Sequence, residues 1–75
     1  ISKIEWTLCI FAITLVISAE LFNTAIETIV DMITSEQNEK AKIAKDVSAG
    51  AVLVMAIGAA IVGIIIFIPK IVQIF

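Results

Sequence analysis

Two long apolar stretches and one short charged connection make up the chain. Apolar residues run from Trp6 to Ala19 and resume around a few polar positions as far as Ile33, whereas the second run, Val47 to Ile68, contains no charged residue. A hydrocarbon core about 30 Å thick takes about 20 helical residues, so each stretch is long enough to cross. Neither proline nor glycine occurs before Gly50, and the first stretch therefore reads as one continuous helix over 1–34.

The polar interruptions in that helix are ordered. At about 100° per residue, Glu20, Asn23, Glu27 and Asp31 fall at roughly 0°, 300°, 340° and 20°, a sector about 80° wide on one face. Leu21, Phe22, Ala25, Ile26, Ile29 and Val30 cover the remaining surface. Ionised groups at membrane depth cost roughly 2.5–3.5 kcal/mol each on insertion scales and usually face a protein interior, a metal or a water-filled site. The stripe is thus a candidate site.

The connection from Thr34 to Asp46 carries Glu36, Glu39, Lys40, Lys42, Lys45 and Asp46. This pattern predicts an all-α helical hairpin in one membrane domain, with residues 35–46 as turn and start of the next helix and a second span over 47–69. The turn is placed at 34–38, where Ser35 and Asn38 are both N-cap candidates and Glu36 or Glu39 stands near the positive helix end. Lysines concentrated here, against Lys3 and Lys70 at the other side, put the tip in the cytoplasm. Pro69 and Lys70 mark the exit of the second span. Within that span small residues from Ser48 to Gly63 recur three and four apart, a pattern that lets membrane helices approach closely and implies further partners.

Composition agrees with a membrane protein: 61% of residues are hydrophobic and mean hydropathy is +1.18, against roughly half apolar in a soluble domain. A net charge of −2 without a basic patch gives no footprint for nucleic acid. The single Cys9, with no histidine in the chain, excludes disulfide and zinc frameworks. Lys3 and the sequence Ile17, Ser18, Ala19 suggest a signal peptide, but the stripe continues directly past Ala19. A proton-carrying ring subunit of a rotary ATP synthase needs a carboxylate within the second span, which has none. A holin-like hairpin accounts for the small residues and not for the stripe.

Counted from the turn, Glu27 and Lys45 each lie seven residues away, about 10 Å down, so they are expected at one level. Asp46 is adjacent, Glu20 is about 10 Å deeper than Glu27, and Asp31 is nearer the tip, where a solvated carboxylate is expected. By itself this set reads either as an interhelical ion pair with surface charges or as a phosphoryl-transfer site: carboxylates for Mg²⁺, a lysine for phosphate, and a deep carboxylate to receive a proton.

The spacing E-x-x-N-x-A-x-E-x-x-x-D from Glu20 to Asp31, then Ala44, Lys45, Asp46 and the run Ala49 to Leu53, resembles the signature of the prokaryotic diacylglycerol kinase family, over about Trp6 to Pro69. The resemblance implies a homotrimeric integral-membrane lipid kinase of the bacterial cell membrane, using ATP and Mg²⁺ to phosphorylate a lipid alcohol. Each subunit would have a surface helix and three membrane helices, the present chain holding the last two. By the same likeness Glu20 is the catalytic base, Asn23 a polar neighbour, and Glu27 a magnesium ligand. Glu27, Glu36, Lys45 and Asp46 meet the nucleotide. The segment from Ala44 to Leu53 and the exit from Gly63 to Lys70 look like Gram-positive members, which favours undecaprenol over diacylglycerol as substrate. Gln37 and Asn38 stand where many relatives have an aromatic residue and then histidine, and Ile43 where some have a basic one. The family's first membrane helix and its acidic metal ligand are missing, so the chain is expected to be a C-terminal fragment, inactive alone.

Overall fold

A computed structural model, which describes residues 1–34 and 38–75, contains two helices, α1 (Lys3–Ile33) and α2 (Glu39–Ile74). They pack antiparallel as a hairpin 55 × 20 × 12 Å. The 36 residues of α2 at 1.5 Å each give about 54 Å, so this helix runs the full length of the molecule.

Local chemistry sets the ends. Ser2 caps α1 through a reciprocal box in which the Glu5 amide donates to Ser2 Oγ (3.1 Å) and the Ser2 amide donates to Glu5 Oε1 (3.0 Å), satisfying two amides that a helix start otherwise leaves open. At Thr34 the backbone turns extended (φ −140°, ψ 130°) and its amide still donates to Val30 O. Asn38 then caps α2, its Oδ1 accepting from the Lys40 amide at 2.9 Å and the Ala41 amide at 3.3 Å. The expected turn at 34–38 is thereby bracketed on both sides, with Asn38 as the cap. Ser35 lies outside the described residues.

Pro69 does not end the helix. It sits inside α2, which continues to Ile74, so the expected exit of the span is not the end of the helix. Proline removes one backbone donor, a loss that membrane helices tolerate where neighbouring groups take up the slack. The carbonyl that loses its donor is that of Ile65; separately, Lys70 Nζ donates to the Ile66 carbonyl at 3.4 Å and also to Glu5 Oε2 of α1 at 2.7 Å. That second contact ties the far ends of both helices together, and Glu5 serves it with the oxygen its capping box leaves free.

The seam between the helices has a coiled-coil spacing. On α1 half-buried residues Ala12, Val16, Ala19, Asn23, Ile26 and Val30 recur at alternating steps of four and three, and on α2 Ala41, Lys45, Ser48, Val52, Ala59, Val62 and Ile66 follow the same repeat, with the intervening position of Met55 left exposed. This is the a/d pattern of knobs-into-holes packing. Among the described residues only Ser48 and Ile66 are buried, and Leu21, Phe22, Met32, Val54 and Ile65 are each more than 60% exposed. Such continuous apolar exposure far exceeds what a soluble monomer shows. A hypothetical Cβ on Gly50, Gly58 or Gly63 meets nothing within 4 Å, so the glycines are not required for the approach of α1.

Replacing Asn38 with Ala removes the cap of α2 and is expected to cost about 1 kcal/mol locally. Hydrogen exchange at the Lys40 and Ala41 amides checks this, with exchange at those two positions accelerated and the middle of α2 unchanged.

Candidate functional site

The stripe on α1 and the seam do not coincide. Taking Glu20 as zero, the seam positions of α1 centre near 280° and the stripe near 345°, an offset of roughly 65°. The offset sorts the four polar residues. Asn23 falls on the seam and is half-buried, Glu27 flanks it and is half-buried, and Glu20 and Asp31 stand outside it and are exposed.

Asn23 is the hinge of the arrangement. Ser48 Oγ, the buried hydroxyl of α2, donates to Asn23 Oδ1 at 2.5 Å, and Asn23 Nδ2 donates to Glu27 Oε1 at 3.5 Å. A short polar chain therefore crosses from α2 to α1 and continues one turn toward the tip. Thr24 and Thr28 turn their hydroxyls back onto the carbonyls of Glu20 and Thr24 at 3.0 and 2.8 Å, which satisfies them within α1 and keeps them out of this chain.

Lys45 keeps the expected level: measured from the Ser48–Asn23 contact, it lies three residues and Glu27 four residues nearer the tip, about 4.5 and 6 Å. Its Nζ nevertheless pairs with Asp31 Oδ1 at 2.5 Å, one turn nearer the tip than Glu27. A long lysine stem reaches up or down a full turn, and the exposed carboxylate in line with it wins. Asp31 is accordingly paired and not merely solvated, although its side chain remains 64% exposed. Asp46 is one step of about 100° beyond Lys45 and falls on the face of α2 turned away from α1. Glu20 and Asp46 form no side-chain hydrogen bond or ion pair among the described residues. Glu36 lies outside the described residues. The structure thus brings together Asn23, Glu27, Lys45 and Asp31, adds Ser48, and leaves Glu20 and Asp46 on open surfaces.

Ser48 escaped the sequence reading because it was grouped with the small residues of the second span. Its signal was present in the repeat of positions 41, 45, 48 and 52, which places it on the same edge as Lys45. No three His, Cys, Asp or Glu residues converge as a metal site among the described residues.

Comparison with known proteins follows the same line. The family model for prokaryotic diacylglycerol kinase matches residues 1–67, nearly the whole chain. The chain belongs to the prokaryotic diacylglycerol kinase family. It is 49% identical over 70 residues to an undecaprenol kinase of Bacillus subtilis, covering 93% of this chain and 57% of that protein. Diacylglycerol kinases of Synechocystis and Haemophilus influenzae are 52% identical over 56 residues and 42% identical over 64, covering 73% and 85% of this chain. Those matches take in 32% and 52% of the two kinases, so the chain spans about half, or less, of the curated relatives it matches. No solved structure matches it significantly. Membership of a family of membrane lipid kinases, together with two helices whose most apolar windows are only 6% buried, identifies this family member as a membrane protein.

Removing the partner of Lys45 by Asp31→Asn is expected to speed acylation of the Lys45 amine by an amine-reactive reagent about two- to fivefold, the range that exposed ion pairs support. Peptide mapping after timed labelling reads the rate, with Lys42 as internal reference.

Proposed function

We propose that the full-length protein transfers the γ-phosphate of ATP to a long-chain lipid alcohol at the cytoplasmic face of the bacterial cell membrane, with undecaprenol preferred to diacylglycerol. The observation that carries this reading is the vertical order of the site. Half-buried Asn23 and Glu27 stand between Glu20, which is further from the tip and exposed, and Lys45, which is nearer the tip. A nucleotide arriving from water meets Lys45 and Glu27 first, whereas a lipid hydroxyl arriving from the bilayer meets Glu20. The extent of the match to the Bacillus undecaprenol kinase, 93% of the chain, supports the substrate preference.

In this reading Glu20 accepts the proton of the lipid hydroxyl as its oxygen attacks the γ-phosphorus and the bond to the bridging oxygen of ADP breaks. Phosphoryl transfer asks the protein mainly for alignment and charge neutralisation. Lys45 supplies the charge. Its pair with Asp31 is exposed, and pairs of that kind are weak, so an incoming phosphate competes successfully for the ammonium. Asp46, on the outer face of α2, meets the nucleotide from outside the hairpin, and Glu36 is a further nucleotide contact. Asn23 holds the Glu27 carboxylate by its amide.

The donor set suits Mg²⁺. This ion is usually held by one or two carboxylates plus substrate phosphates and not by a full protein cage, and Glu27 is a carboxylate held by Asn23 and, among the described residues, not consumed by an ion pair. Bound there with the nucleotide, Mg²⁺ would offset charge on the phosphate oxygens. Large apolar exposure on both helices, and open glycines on α2, support assembly with further helices in a homotrimer.

The test is ATP- and Mg²⁺-dependent phosphorylation of undecaprenol and diacylglycerol side by side in mixed micelles, with full-length protein. Turnover is expected on undecaprenol. Glu20→Gln is expected to lower kcat by 100-fold or more, on the order of the loss of a general base, and Glu27→Gln to lose activity at low-millimolar Mg²⁺. Full activity of both variants in a verified assembly would overturn these roles.

A further inference from the structure

We infer that Ser48 is a positioning residue, whose hydroxyl sets the orientation of the Asn23 amide and through it the aim of the Glu27 carboxylate. The inference rests on the functional reading above for its catalytic consequence, but its geometry stands on three observations. Among the described residues Ser48 is the buried polar one, 8% exposed. It occupies a seam position of α2 directly opposite a seam position of α1, so the contact is enforced by packing. Its partner Asn23 is bound on its other side by Glu27.

Donor and acceptor chemistry then leaves one consistent arrangement. An ionised carboxylate only accepts hydrogen bonds, so Asn23 must present its NH₂ group to Glu27, and its carbonyl oxygen therefore faces Ser48. A carbonyl oxygen only accepts, so Ser48 must donate. The hydroxyl has a single proton and two acceptors in reach, Asn23 Oδ1 at 2.5 Å and the Lys45 carbonyl at 3.1 Å. The shorter contact takes the larger share. The longer one is the back-bond to its own helix that a serine in a helix commonly makes.

Without that hydroxyl, Asn23 Oδ1 faces an apolar seam with no donor. The amide is then free to turn over, which would aim its carbonyl at the Glu27 carboxylate, two acceptors in opposition. Glu27 would lose its fixed rotamer. Partners that orient a metal-binding carboxylate typically matter by 10- to 100-fold in metal affinity or activity, and Ser48 acts one bond further out, so an effect near the lower end is expected.

The experiment uses full-length protein in micelles with Ser48→Ala, Asn23→Ala, the double variant and Glu27→Gln. Two readouts are taken: the side-chain amide resonances of Asn23 by NMR without substrate, and the Mg²⁺ dependence of lipid phosphorylation. Ser48→Ala is expected to shift or broaden the Asn23 amide resonances and to raise the Mg²⁺ concentration for half-maximal rate about tenfold, with kcat at saturating Mg²⁺ changed much less. In the Asn23→Ala background it should add nothing. Unchanged Asn23 resonances, or an effect that adds fully to that of Asn23→Ala, would overturn the inference. Should Ser48→Ala fail to assemble, Ser48→Cys keeps the volume, weakens the donor and decides the same question. Full activity of Glu27→Gln overturns the functional reading and the metal-directed role with it, while the NMR arm still decides the orienting contact. Loss of activity in Glu27→Gln with a normal Mg²⁺ dependence in Ser48→Ala leaves the functional reading standing and removes Ser48 from it.

Discussion

Two apolar helices in lipid have little reason to choose one sliding register over another, because lipid tails are as apolar as the side chains that face them. Polar contacts across the seam supply that choice. Asn23 with Ser48 lies inside it, Lys45 with Asp31 lies near the tip, and Lys70 with Glu5 lies at the far end. Together they pin the hairpin at three heights. A one-turn slip of about 5.4 Å would break the short Asn23–Ser48 contact outright and oblige both lysines to reach a full turn to keep their carboxylates. The inner contact carries most weight, since a polar residue at an a/d position specifies register at a cost in stability, and an unsatisfied amide there has no water to turn to.

From that register follows the division of the acidic stripe. Had α2 packed squarely on the stripe, all four polar residues would be buried against apolar side chains. Instead the seam is rotated by roughly 65°, which holds Asn23 and Glu27 half in and leaves Glu20 and Asp31 outside. A carboxylate left outside the seam is available to whatever approaches from the membrane, and one held at its edge has a fixed direction. This separation of a held group from an open one is what the proposed chemistry uses.

The fold was legible from the chain because it follows from lengths and local chemistry. An uninterrupted first stretch, an uncharged second run and a charged connection between them leave little choice but a hairpin, and Asn38 is a strong N-cap by its short side chain alone. Less of the site was legible. Counting residues from the turn puts Lys45 level with Glu27, which the Ser48–Asn23 register keeps, but a count along two axes does not say which carboxylate a long lysine stem reaches. Pro69 reads as the exit of the second span, and α2 nevertheless continues through it to Ile74, because a helix can carry a proline where neighbouring groups compensate the lost donor.

The sequence by itself determined the two spans, the turn, the ordered stripe from Glu20 to Asp31 and, through that spacing, the family. Each depends on residues near one another along the chain, where the helical period converts position into direction. Tertiary structure alone decided which part of the stripe faces α2, that Lys45 goes to Asp31, that Asp46 looks away, and that Ser48 meets Asn23. These depend on the rotation and sliding of one helix against the other, and those two quantities are settled only when side chains far apart in sequence interlock along the seam.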